Sequence, residues 1–350
     1  LVGRAAAKSA QALFFDYCVP EDAECLTRRG WAKWHEIRIG EDVLVLDKDS
    51  HEARWEPVTA INTFPFVGEL NRIANKFCEF LYTDGHRWPV ETRLNGKRRN
   101  EIVTELKTQH HLVAAGNGIS NTESALSPSD AAILGWIVTD GTSRWGEYTT
   151  LTTGEHREYF YANIAQSPKK FLAKIVALLG VVPTQRPNKK SGVVQITVPL
   201  AARRRLVGAG FRKKDDLPRI VGKLSRDAAE AMWQAMVDAE ASTSEAGKTI
   251  TFAQNPGPVL EAFTMLCAMT GRRCRVAEHR SRCQTAIVGS RRFFSVAKMG
   301  SDTVPFRGTV WCPTTPSGTW LMRRNGAIVW TGNSDVGNWI HALRSAPGIG

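Results

Sequence analysis

Two short stretches hold residue types that break and make acyl bonds. One is Cys18, opening Cys-Val-Pro-Glu-Asp-Ala-Glu-Cys-Leu-Thr; the other is Asn333-Ser334, closing Val-Trp-Thr-Gly-Asn-Ser about 300 residues later. A thiolate forms at a pKa near ~8.5 that neighbouring groups can lower, so a cysteine can take over the acyl group of the peptide bond before it. A serine hydroxyl can accept that acyl group in turn, and an asparagine amide can cyclise and release the residue that follows. Either stretch alone carries little weight. Together they hold the groups needed to break two peptide bonds and make a third.

Such distant groups need a scaffold that spans the chain. At 350 residues the chain can bury a sizeable core and is expected to form two domains, since single cores rarely grow past roughly 250 residues. With 43% hydrophobic and 23% charged residues it reads as globular. No apolar run approaches the ~20 residues of a membrane helix. The first residues lack the basic, apolar and small-residue order of a signal peptide, so a cytoplasmic location is expected. Seven cysteines, an odd and sparse set, favour free thiols over disulfides. A net charge of +12 predicts attraction to a polyanion, most simply DNA.

From Glu24 to about Val90 the pattern is one of short strands, such as Val43-Leu44-Val45-Leu46 and Phe80-Leu81-Tyr82, broken by Gly, Asp and Pro turns. Ala115 to Asp130, rich in Gly, Ser and Asn, reads as a linker, after which Ser127-Pro128-Ser129-Asp130 starts a helix at Ala131. Helices dominate from there to about Ala297; one has Ser167 as its N-cap, Phe171, Leu172, Ile175, Val176 and Leu179 on one face, and Gly180 at its end. The strand pattern returns near Val304, which implies a helical domain inserted into a split β domain. The insert carries a weak duplication. Ala131 to Thr142 and Met232 to Ser242 are both apolar helices ending in an acidic residue, Asp140 and Glu240, and each is followed by strand-like and then helical sequence, ending in Leu179 and in Pro258 to Met269.

The two junctions resemble those of inteins, self-splicing elements with an all-β hedgehog/intein (Hint) fold. The resemblance implies flanking segments at 1–17 and 334–350, a splicing domain split into 18–127 and 301–333, and an insert at 128–300. Thr83-Asp84-Gly85-His86 is similar to the Thr-x-x-His of that family, whose pair bonds around the upstream scissile amide and whose His protonates the leaving nitrogen; an imidazole with pKa near ~6.5 suits that shuttle. Trp88, Cys312 in Val310-Trp311-Cys312-Pro313, and Thr331 resemble the Trp-Cys-Thr signature of class 3 inteins. There the internal cysteine attacks the upstream junction, which implies Cys312 as first nucleophile, Thr331 holding it and Trp88 beside it. Cys18 also fits the first residue of a standard intein, whose own thiol attacks the Tyr17 carbonyl. On either route the acyl group passes to Ser334, Asn333 cyclises, and Tyr17 is joined to Ser334. The family's usual histidines near the second cleavage are replaced by Gly332 and Thr319, so slow cyclisation is expected, with His35 or water as substitute helper.

The duplicated insert resembles the LAGLIDADG homing endonucleases, an α+β fold whose two motif helices each present a carboxylate to divalent metal between DNA strands. Asp140 and Glu240 carry over as metal ligands, with Mg²⁺ the implied cofactor and double-stranded DNA the partner of a monomer, since hard oxygen ligands suit a cation that polarises phosphate and water. Lys213 or Lys214 resembles the family's catalytic lysine. Glu240 in place of Asp, and Ala235 and Ala241 in place of glycines, predict strained packing and doubtful nuclease activity. Arg203-Arg204-Arg205, Arg272-Arg273-Cys274-Arg275 and Arg291-Arg292 suit phosphate contacts. Cys267, Cys274, His279 and Cys283 match no usual zinc spacing, and Cys25 and Cys78 read as core. Gly3-Arg4-Ala5-Ala6-Ala7-Lys8-Ser9 resembles a deviant phosphate-binding loop, as in the ATPase of a phage terminase large subunit, implying a phage-encoded element in a bacterial host. Three classes compete: a self-splicing element, a plain DNA endonuclease whose splicing is inactive, and an ATPase fragment. A hedgehog-type autoprocessing domain would share the β fold without needing Asn333-Ser334.

Overall fold

A computed structural model describes residues 18–181, 192–244, 247–278 and 283–333. The described residues divide into two compact units, one of 18–117, 273–275 and 291–333, the other of 118–272 and 276–290 apart from the gaps just given. Strands predominate in the first, and helices and strands alternate in the second.

In the first unit, strands from the two ends of the sequence pair with each other. Ala60–Asn75 runs antiparallel to Gly300–Thr314 along its length, from Ala60 opposite Thr314 to Ala74 opposite Gly300. Val19–Pro20 adds to the other edge of Gly300–Thr314, and Cys78–Tyr82 pairs with Asn71–Asn75. These strands are not all short, as the sequence pattern suggests: Ala60–Asn75 has 16 residues. Pro65 fits inside it because the neighbouring strand covers only Asn71–Asn75, leaving Pro65 on an open stretch where no ladder donor is missed. A second sheet orders Phe293–Ser295, His110–Val113, Trp88–Leu94 and Lys97–Val103. A third carries Ala327–Gly332, Thr319–Arg324, Glu24–Thr27, Asp42–Leu46 and Ala53–Pro57 in that order. Val43 to Leu46 are all buried, so this strand is covered on both faces and its apolar run does not alternate. Phe80, Trp88, Trp311 and Trp320 are fully buried in the same unit, and each such side chain contributes about 1.5–3 kcal/mol relative to exposure. Cys25 and Cys78 belong to this core.

The second unit repeats helix, strand, strand, helix: Pro128–Asp140, Gly141–Thr149, His156–Gln166 and Leu172–Leu179, then Arg226–Glu240, Ser242–Thr243, Thr249–Gln254 and Pro258–Met269. The first helix begins at Pro128 rather than Ala131, because Ser127 caps it by accepting from the Asp130 backbone N–H. The helix expected after Ser167 begins only at Leu172; Ser167 instead closes a turn, its carbonyl accepting from Lys170 N–H. Residues 115–130 are no free linker. Ile119 N–H donates to Met269 O and Ala125 N–H to Lys223 O, and Ile119 and Leu126 are buried.

Gly135 sets the closeness of the two long helices. A Cβ there would lie 2.9 Å from Met232 O and 3.0 Å from the Ala235 Cβ. The strain expected of Ala235 is therefore absent, because its neighbour across the contact has no side chain. Ala241 is likewise unstrained, with extended backbone (φ −80, ψ 149).

Candidate functional site

The stretch opening at Cys18 and the stretch closing at Asn333 meet at one turn. Thr83 O accepts the His86 N–H (3.4 Å), with Gly85 at φ +71 in the left-handed region that a turn's third position favours for glycine. Cys18 N–H donates to Thr83 Oγ1 (2.9 Å), and Thr83 N–H returns a bond to Cys18 O (3.1 Å). On the other side His86 Nε2 and Thr331 Oγ1 are 2.5 Å apart, and Gly332 N–H donates to Arg87 O (2.7 Å). Thr83, His86, Thr331 and Asn333 are all buried. Thr83 thus sits on the amide nitrogen that joins Cys18 to the residue before it, while His86 is held by the strand Ala327–Gly332, which Asn333 follows.

Trp88 packs beside this turn. Its ring meets His86 edge-on at 4.8 Å and Tyr82 at 5.2 Å. Burial, then the charge of Asp84, raises the Tyr82 phenol to about 12, so it stays neutral against the imidazole. Thr331 and Trp88 therefore flank His86, whereas the resemblance implied both at Cys312, which belongs to a separate cluster. Cys312 meets the turn through Cys18, its sulfur 3.8 Å from that of Cys18 and Asn62 Nδ2 also 3.8 Å from it. Both thiols are buried in a cluster with Leu70, Leu81 and Val310.

Around Asn333, side chains that the sequence did not single out supply the contacts. Asn333 Nδ2 donates to Thr315 Oγ1 (3.1 Å) and Thr315 O (3.4 Å), and its backbone N–H to Gly318 O (3.0 Å). The Trp320 indole N–H donates to Gly332 O (3.2 Å). The absent histidines have steric and bonding reasons. A Cβ on Gly332 would lie 2.6 Å from the Arg87 Cβ and 2.7 Å from Arg87 O, so no larger residue fits without a shift. Thr319 is committed to the scaffold, its hydroxyl accepting from Leu46 N–H and donating to Leu46 O. His35 is an exposed residue of a short 3-10 turn, edge-on to Trp34 at 5.4 Å, and none of the bonds to Asn333 given above involves it.

In the second unit, Asp140 and Glu240 end the two long helices, and the sequence repeat extends to their partners. Gln166, the last residue of its strand, donates to Asp140 Oδ2 (2.8 Å); Gln254, the last residue of the corresponding strand, donates to Glu240. Burial raises the Asp140 carboxyl, and burial followed by the like charge of Asp140 raises that of Glu240. Lys170 and Lys214 oppose those rises at Asp140 and Glu240 respectively. Of the candidate lysines, Lys214 is the one that faces Glu240, whereas Lys213 pairs with Asp215 (3.1 Å). Two hard-oxygen donors without full counter-charge fit a divalent cation.

The arginine runs are largely bound to the protein itself. Arg205 makes two 2.8 Å bonds to Asp130, Arg272 grips Glu230 and lies 3.7 Å over the Trp233 ring, and Arg292 donates to Ala115 O. Arg203 donates to Phe160 O. Arg204 and Arg291 are exposed. Among the described residues no group of three or more His, Cys, Asp or Glu is placed to hold a metal. His279, the 3–9 segment, Tyr17 and Ser334 lie outside the described residues.

The sequence matches no protein-family model and no curated protein. Solved structures that share elements with it include the AceL NrdHF class 3 split intein in a splice-inactive variant, at 6% identity over 91% of this chain and 99% of its own, with a TM-score of 0.35. The homing endonuclease I-DmoI in complex with DNA and Mn is 15% identical over 46% of this chain and 89% of its own, with a TM-score of 0.32. The I-LtrWI LAGLIDADG homing endonuclease bound to target DNA is 10% identical over 50% of this chain and 78% of its own, with a TM-score of 0.30. These likenesses are faint, and the functional reading stands on the residues described above.

Proposed function

We propose that the chain splices itself, excising residues 18–333 and joining Tyr17 to Ser334. The observation that carries this reading is the turn at Thr83–Arg87, to which both Cys18 and the strand that leads into Asn333 are bonded. Thr83 holds the nitrogen of the upstream scissile bond, so its hydroxyl orients that amide as the acyl group leaves. His86, boxed by Trp88 and Tyr82 and tied to Thr331, is the residue to deliver the proton that the departing nitrogen needs. The acyl group then rests on Cys312 as a thioester and passes to the Ser334 hydroxyl, with loss of the C–S bond and return of the hydroxyl proton to sulfur. The Asn333 amide nitrogen attacks the Asn333 carbonyl, releasing Ser334 as a free amine and the element as a succinimide. The ester at Ser334 rearranges to an amide. Thr315 positions the attacking nitrogen in place of the missing histidines, and since it supplies no imidazole, this step is slow.

A standard route, in which Cys18 attacks the Tyr17 carbonyl itself, is favoured by the direct bond between Cys18 N–H and Thr83. For the inserted unit we propose duplex DNA binding. Exposed Tyr159 and Tyr161, with Arg203 over the Tyr161 ring, give a face of aromatic and cationic groups suited to a phosphate backbone. A divalent cation held by Asp140 and Glu240 would polarise a phosphodiester there. Whatever the nuclease does, excision does not depend on it. The splicing reading is tested by Asn333→Ala in the full chain between two foreign proteins. The expected product is a branched, alkali-labile ester with no ligated protein; normal ligation would refute the reading.

A further inference from the structure

The contact between the two thiols is fixed by the sheet. Pairing of Val19 with Trp311 and Pro20 with Val310 puts Cys18 directly opposite Cys312, and the two buried sulfurs lie 3.8 Å apart. From this we infer that the thiols act in series: Cys18 takes the Tyr17 acyl group first and hands it to Cys312, which delivers it to Ser334. The inference rests on the splicing reading and adds the relay to it.

The bonds balance at each step. Cys18 Sγ attacks the Tyr17 carbonyl carbon, the C–N bond breaks, and the thiol proton ends on the Cys18 nitrogen, the atom whose N–H already donates to Thr83 Oγ1 at 2.9 Å. Cys312 Sγ then attacks the same carbon. A new C–S bond forms as the first one breaks, and the Cys312 proton moves to Cys18 Sγ. One thioester replaces another, so the exchange is close to neutral in free energy and its direction is set by removal of the acyl group to Ser334.

Geometry favours the exchange over a direct attack. In a thioester on Cys18 the carbonyl carbon is one bond from Cys18 Sγ, so a sulfur 3.8 Å from that atom is near the ~3–3.5 Å of a near-attack arrangement. Asn62 Nδ2, 3.8 Å from Cys312 Sγ, points a donor at the sulfur that must carry charge. Leu70, Leu81 and Val310 surround both sulfurs and exclude the water that would hydrolyse a thioester. The Thr83 clamp, in contrast, acts on the backbone of Cys18 and has a purpose in the first step whichever sulfur attacks.

The test uses the full chain between two foreign proteins, followed by intact mass with and without added dithiothreitol. Cys312→Ala should stall the acyl group on Cys18, so that dithiothreitol releases the upstream protein and no branched or ligated product forms. Cys18→Ala should slow loss of the upstream bond by at least about tenfold, because the first acceptor is gone. Cys312→Ser and Cys18→Ser repeat both arms with the size of the side chain kept, should an alanine variant fail to fold. Wild-type splicing rates in Cys18→Ala and Cys18→Ser would overturn the relay in favour of direct attack by Cys312. Ligation by Cys312→Ala would overturn it in favour of Cys18 acting alone. If the wild-type chain yields neither ligated product nor a thiol-sensitive species, the splicing reading itself fails and the relay with it.

Discussion

The junction unit and the inserted unit hold their reactive groups in opposite ways. Cys18, His86, Thr331 and Asn333 are buried, and the stretches that carry them are tied by backbone bonds that a substitution of side chains alone cannot remove, such as Gly332 N–H to Arg87 O and Thr83 N–H to Cys18 O. Asp140 and Glu240 stand at helix ends, only partly shielded from solvent, and each is held by one glutamine amide. The difference teaches which chemistry each can support without help. Acyl transfer within one chain needs water kept out and attacking atoms already placed. Phosphodiester hydrolysis needs open access for a duplex and a cation that comes from solution.

The largest expected break between the two regions comes from His86→Ala. It should slow loss of the upstream peptide bond by about 10²–10⁴-fold, the usual contribution of a positioned acid or base. Asp140→Ala should leave that rate within about twofold, because excision draws nothing from the carboxylates. Gel densitometry of precursor decay measures both, and equal losses would erase the distinction. Next, Gly332→Ala drives a Cβ against the Arg87 backbone and should destabilise the junction unit by about 1–3 kcal/mol, read as a lowered denaturant midpoint. Ala241→Gly, at the extended position that ends the second long helix, should stay within about 1 kcal/mol.

Thr315→Val removes an acceptor from the Asn333 amide and should slow release of the downstream segment about tenfold while sparing the upstream step, as quantified by the build-up of branched ester. A stabilising effect is expected from Asp140→Asn in chelator, which relieves like charge at the paired helix ends. Hydrogen-exchange protection at the ends of Pro128–Asp140 and Arg226–Glu240 should rise by about 1 kcal/mol, and a fall would mean that the carboxylates are not crowded.

What was legible in the sequence followed the same divide. Cys18, Asn333 and the Thr83-x-x-His86 spacing are readable because a four-residue turn fixes where both side chains go. Thr315, Asn62 and Gln166 were not, since each offers one hydrogen bond from a common residue type and is brought in by a distant strand. Ser167 misled because a Ser-Pro pair starts turns as readily as helices. The arginine runs misled because charge counts do not reveal that Asp130, Glu230 and the Ala115 carbonyl claim those guanidinium groups. Ala235 looked strained only while its neighbour Gly135 was unknown.

Intact-mass analysis of the wild-type chain fused between two foreign proteins tests the central claim most directly. The account predicts two new species, the two foreign proteins ligated through Tyr17–Ser334 and a free fragment of residues 18–333 ending in succinimide. A stable, unprocessed precursor, or cleavage at both junctions with no ligated species, would contradict it.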